Sequence, residues 1–143
     1  MDDALIVTEE EVAAVFPAVG ETIADALGRD LDEVALDSRL IEDLGAESID
    51  FLDIVFRLEQ LFKAQIPRGK IVEDARGELS EEEFAEDGVL TRLGIQRLKQ
   101  YLSEVPAARF RSRMKVAEVP LLFTVETFCK AVVRAQRTPQ ASG

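Results

Sequence analysis

The 143-residue chain has no histidine and one cysteine, Cys129. Without histidine there is no Ser-His-Asp or Cys-His catalysis, no histidine metal site and no ordinary general base near neutral pH. An enzyme would have to rely on carboxylates, lysines or a cofactor, so the chain reads as a non-enzyme. One cysteine excludes an internal disulfide framework and fits a reducing compartment. With no basic neighbour pattern around it, Cys129 reads as a buried helix residue. No apolar run approaches the roughly 18 residues of a membrane span. The start Met1-Asp2-Asp3 lacks the basic region of a signal peptide, so a cytoplasmic protein with no membrane span is expected. Repeats and low-complexity tracts are missing, and alternating β-branched runs are almost absent.

What remains is helical spacing on an acidic chain. Residues 1–67 carry 17 acidic and 4 basic side chains, and residues 68–143 carry 11 and 13, for a net charge of −11. The acidic half repels nucleic acid, so no nucleic-acid partner is expected, whereas basic protein surfaces would be drawn to it. Thr8-Glu9-Glu10-Glu11 is a capping box that opens a helix with apolar Val12, Val15, Phe16 and Val19. Pro17 is expected to kink or restart it, and Gly28 to end it. Residues 29–47 read as a loop held down by its own apolar side chains, and a second long helix runs from Ser48 to about Lys63. Ser80-Glu81-Glu82-Glu83 is another capping box. A helix from Thr91 to about Ser103 follows, residues 104–120 are irregular, and Thr124 caps the last helix. The reading is an all-α bundle of three to four core helices.

The most informative stretch is Asp43-Leu44-Gly45-Ala46-Glu47-Ser48-Ile49-Asp50. Gly45 permits a tight turn, and Ser48 stands where a helix starts. An isolated serine at such a place is usually only an N-cap. Here Phe51 offers no reciprocal capping-box partner, Leu44 and Ile49 are short apolar anchors, and Asp43, Glu47 and Asp50 ring the hydroxyl.

This stretch resembles the attachment signature of acyl carrier proteins. The likeness continues through Phe51 to Phe62, the family's recognition helix, to the Ile66-Pro67 turn, and Leu121 to Val133 resembles the family's last helix. The resemblance implies that Ser48 receives 4′-phosphopantetheine from coenzyme A. It also implies a phosphopantetheinyl transferase, a ketosynthase and an acyl ligase or acyltransferase as partners, and a monomeric carrier of acyl thioesters in fatty acid or specialised lipid biosynthesis. Carriage of aminoacyl or polyketide units is the alternative within this class. An unmodified helical adaptor that binds through its acidic face is the alternative outside it.

At 100° per residue, Asp50, Asp53, Arg57 and Gln60 share one polar stripe, with Arg57 placed to pair with Asp53. The remaining wide arc is apolar and is expected to be buried over most of its girth. Asp43, Glu47, Asp50, Asp53, Ile49 and Phe56 are the expected docking residues. Leu52, Val55, Leu58 and Phe62 are the expected lining of an acyl cavity.

One carrier domain is expected, with a core over about 8–67 and 119–136, a helical insertion over about 68–118 and a disordered tail from about 137 to 143. The insertion resembles that of a specialised bacterial subgroup of carriers. Its helix with Leu93, Ile95, Leu98 and Leu102 is expected to pack on the Ser48 helix. The basic run Arg109-Phe110-Arg111-Ser112-Arg113-Met114-Lys115 reads as a solvated loop folding back on the acidic half.

Overall fold

The computed structural model describes residues 7–66 and 75–137 and is mostly helical. Pro67, residues 68–74, where the insertion is expected to begin, and the tail from residue 138 lie outside the described residues. The chain divides into two compact units, residues 1–67 with 124–143, and residues 68–123.

In the first unit, α1 spans Glu9–Leu27, α2 spans Ser48–Phe62, and a last helix spans Val125–Arg137. The predicted capping box forms at α1: Thr8 N–H donates to Glu11 Oε1 at 2.9 Å, and Glu11 N–H to Thr8 Oγ1 at 3.1 Å. Pro17 lies inside an uninterrupted α1, so the expected restart does not occur. The three helices pack on one another. Val12, Val15, Val19 and Ile23 recur at helical spacing and are buried, as are Ile54, Leu58, Phe128, Cys129 and Val132. Burial pushes the Cys129 thiol up to about 12, so it stays protonated and unreactive.

Arg137 of the last helix donates to Glu11 Oε1 at 2.6 Å. The hydrogen bond from the Thr8 N–H, and then Arg137, hold the Glu11 carboxyl below its ordinary 4.5. A lowered carboxyl stabilises the fold above its unfolded pKa, and that contribution is lost as pH falls through the folded value. The melting temperature of Glu11→Gln should therefore lie below wild type at pH 7, and the gap should close as pH drops below about 4.5. A gap that stays constant across that range would assign Glu11 no charged role.

The long loop before Ser48 is anchored to the last helix. Val125 N–H donates to the Ser38 carbonyl at 3.0 Å and Glu126 N–H to the Leu36 carbonyl at 2.9 Å, so two otherwise unbonded amides of the first turn are satisfied by the loop. Thr124 caps the same turn through reciprocal bonds with Thr127, at 3.0 and 3.3 Å. Val34, Leu40 and Leu44 are buried beneath the loop.

In the second unit, α3 spans Glu81–Phe84 and α4 spans Arg92–Tyr101; between them β1, Ala85–Glu86, pairs antiparallel with β2, Val89–Leu90. Asp87 (φ +52°) and Gly88 (φ +79°) both have positive φ, as a type I′ hairpin turn requires. These two-residue strands are a small addition to an otherwise helical chain, and Asp87-Gly88 is the one sequence signal that marks them. The irregular segment 104–120 contains 3₁₀ turns, at Ala107–Arg109 and from Val116 onward. Leu98, Tyr101 and Leu102 are buried, whereas Leu93, expected on the apolar face of α4, is 48% exposed. Within this unit Arg109 donates to the Leu121 carbonyl, and Arg111 pairs with Glu118 at 2.6 Å.

Candidate functional site

The loop closes on itself immediately before α2. Asp43 Oδ2 accepts from the Arg39 N–H at 2.8 Å, and its Oδ1 pairs with the Arg39 guanidinium at 3.0 Å. This pairing raises the Arg39 pKa. Ala46 N–H donates to the Leu40 carbonyl at 2.9 Å, Gly45 N–H to the Ile41 carbonyl at 3.1 Å, and Arg29 Nε to the Leu44 carbonyl at 3.3 Å. Gly45 has φ +74°, a region that side-chain-bearing residues enter at a cost. Together these bonds deliver the chain to Ser48 in one conformation.

Ser48 is the first residue of α2, and Glu47 is the N-cap. A reciprocal pair does form, one residue earlier than Ser48–Phe51, between Glu47 and Asp50. Asp50 Oδ2 accepts from the Glu47 N–H at 2.8 Å. Glu47 thus takes the capping position and Ser48 is displaced from it. Asp50 therefore has a structural role at the start of α2, satisfying the Glu47 N–H as the N3 member of a capping box.

The faces of α2 differ from the expected pattern. Ile54 and Leu58, four residues apart, are fully buried, while Phe51, Val55 and Phe62 are half-buried. Phe51 stacks on Phe128 of the last helix with ring centroids 6.0 Å apart. Ile49 is 71% exposed, Leu52 44% and Phe56 60%. These three lie at i, i+3 and i+7 and form one apolar stripe on the surface. Leu52 therefore does not line an interior, because the stripe it belongs to turns away from the Ile54–Leu58 side. Asp53 and Arg57 form the expected pair at 3.0 Å. Two of the expected docking carboxylates, Asp43 and Asp53, are thus engaged with arginines of their own unit.

Three residues with a side-chain hydroxyl lie between positions 17 and 76. Thr22 lies within α1 and donates to the Ala18 carbonyl at 2.8 Å. Ser38 is buried, and its Oγ accepts from the Ala35 N–H at 3.0 Å. Ser48 is the third, at a helix start flanked by exposed Glu47 and Ile49. No group of three or more metal-ligating side chains occurs among the described residues, and none of the described helices is long and apolar enough to cross a membrane.

Residues 17–76 match the family model described as a phosphopantetheine attachment site. The acyl carrier protein of Campylobacter jejuni subsp. doylei is 41% identical over 54 residues, which is 38% of this chain and 70% of that protein. The acyl carrier protein of Clostridium acetobutylicum is 42% identical over 53 residues, 37% of this chain and 69% of its own length. Acyl carrier protein AcpXL of Mesorhizobium japonicum is 34% identical over 74 residues, 51% of this chain and 80% of that protein. No solved structure matches the chain. The matched family consists of carriers, not catalysts, and its prosthetic group is 4′-phosphopantetheine. Its members work with a phosphopantetheinyl transferase and with biosynthetic enzymes. On the attachment-site match and on relatives covered over more than two thirds of their length, this chain belongs to the acyl carrier protein family.

Proposed function

We propose that Ser48 is the attachment residue and that the chain delivers acyl groups to enzymes of fatty acid or specialised lipid biosynthesis. The observation that carries the assignment is the disposition of the three hydroxyls in the matched segment. Thr22 is bonded back into its own helix and Ser38 is buried, which leaves Ser48 at the first turn of α2. The bound group supplies a flexible arm ending in a thiol that holds acyl chains as thioesters.

The residues around Ser48 suit that group. The first turn of a helix carries unsatisfied amides and a partial positive charge, which favour a phosphodiester there. The bonded loop and the positive φ of Gly45 keep the attachment point in place while the arm swings. Glu47 and Asp50 offer negative charge to a basic modifying or acyl-transferring enzyme, and Ile49, Leu52 and Phe56 offer an apolar strip beside it. Val55, Leu58 and Phe62, directed away from that strip, are the residues proposed to shelter an acyl chain. A ketosynthase, an acyl ligase and an acyltransferase are the proposed partners.

Incubation with coenzyme A and a broad-specificity transferase should add one phosphopantetheine per chain. The tryptic fragment Leu40 to Arg57 has one hydroxyl residue, Ser48. The added mass should map to that fragment and vanish in Ser48→Ala. An unmodified wild-type chain would favour an adaptor that binds through its acidic face, and modification of another fragment would refute the Ser48 assignment.

A further inference from the structure

The insertion unit contains a cleft of about 510 Å³, within the range of small-ligand pockets. Its floor is apolar: Leu90 and Phe110 are buried and Ile95 is half-buried. Its rim is cationic. Arg92 and Lys99 flank Ile95 on one face of α4, and Arg111 and Arg113 face them from the loop that follows. Among the described residues no carboxylate lines the cleft, although the chain has a net charge of −11.

The cleft is held in shape by the backbone. Leu90 N–H donates to the Met114 carbonyl at 2.7 Å and Val116 N–H to the Gly88 carbonyl at 2.9 Å, tying the arginine loop to β2. Arg113 has φ +60°, an uncommon conformation for a side-chain-bearing residue. Arg111 is paired with Glu118, but Arg92, Lys99 and Arg113 have no ion-pair partner among the described residues. Arg92 also sits in the first turn of α4, where the helix dipole disfavours a cation. All three cations are exposed, so their charges stay available beside the apolar floor, an arrangement that suits an anion with an apolar body.

We infer that this cleft binds an anionic amphiphile, with a phosphate or carboxylate head held by Arg92, Lys99 and Arg113 and an apolar chain on Leu90, Ile95 and Phe110. The inference is independent of Ser48, since every residue in it belongs to the insertion unit.

The full-length ¹⁵N-labelled chain can be titrated separately with decyl phosphate, decanoate and inorganic phosphate, keeping the alkyl compounds below their micelle concentrations. Saturable amide shifts should appear at residues 90–99 and 110–113. At least one alkyl anion should bind about ten-fold tighter than inorganic phosphate, and comparison of the two identifies the preferred head. Decyltrimethylammonium should not bind there, and affinity should fall with added salt. Arg92→Gln combined with Arg113→Asn should weaken binding about ten-fold or more at an unchanged melting temperature, since asparagine tolerates the positive φ at 113. The proposal is overturned if shifts are confined to the α1, α2 and last-helix residues. Equal binding of the ammonium compound, or of inorganic phosphate and both alkyl anions, also overturns it, as does undiminished affinity in the double variant.

Discussion

Leu58→Ala should lower stability by about 2–5 kcal/mol, whereas Phe56→Ala, two residues earlier on the same helix, should change it by about 0.5 kcal/mol or less. Leu58 has no exposed surface, so its truncation removes apolar burial and leaves a cavity where α2 meets the other helices of its unit. Against the roughly 5–15 kcal/mol that holds a typical domain together, such a loss should move the denaturation midpoint substantially. Phe56 is 60% exposed and gives up little by truncation in the free protein. Its expected effect lies in encounter with partners. An exposed aromatic on the same stripe as Ile49 and Leu52, about two turns along the helix from Ser48, has the character of an interface anchor. Phosphopantetheine loading at limiting carrier concentration should slow about ten-fold in Phe56→Ala, while folded Leu58→Ala should load close to the wild-type rate. Denaturant melts and a loading time course measure both. If Phe56→Ala loads at the wild-type rate, the exposed stripe is not part of the transferase interface. If Leu58→Ala melts like wild type, Leu58 is not a core residue.

The contrast between these two apolar faces is only half legible in the sequence. Helical periodicity separates Asp50, Asp53, Arg57 and Gln60 from the apolar arc, but it does not say how much of a wide apolar arc its neighbours cover. That depends on which helices arrive and from where, so Leu52 was misplaced although its angle on the helix was known. Caps were more readable because their chemistry is local. Thr8 with Glu11, Ser80 with Glu83, and Thr124 all cap as their spacing predicts. At Ser48 the spacing from the serine alone does not reveal that Asp50 reaches the N–H of Glu47. The hairpin was missed for a different reason: two-residue strands are too short to alternate, and only Asp87-Gly88 marked them. The cleft in the second unit is not legible in the sequence at all. Its cations come from α4 and from a loop a dozen or more residues away, and only the pairing of β2 with residues 114–116 brings them together.

The second compact unit should fail at one glycine. In Gly94→Ala, a Cβ built on the backbone would meet the Phe84 carbonyl oxygen at 2.1 Å and its carbon at 3.1 Å. Two effects of opposite sign compete. Alanine is favoured over glycine within a helix by about 1 kcal/mol, which alone would strengthen α4. The overlap is with backbone, so no rotamer change relieves it, and overpacking of this kind costs about 1–3 kcal/mol or more. The Phe84 carbonyl is also held from the other side, because it accepts from the Thr91 N–H at 2.9 Å and from Thr91 Oγ1 at 3.1 Å. Moving it to admit the methyl would strain the bonds that start α4, so the clash should outweigh the helix gain. Hydrogen exchange should show faster amide exchange across residues 84–101 in Gly94→Ala. Phosphopantetheine loading should continue at the wild-type rate, because Ser48 and its helix belong to the other compact unit. Unchanged or slower exchange over 84–101 would mean that α3 and α4 do not approach as closely as this glycine allows. Loading that collapses together with the second unit would show that the first unit depends on residues 68–123 for its own fold.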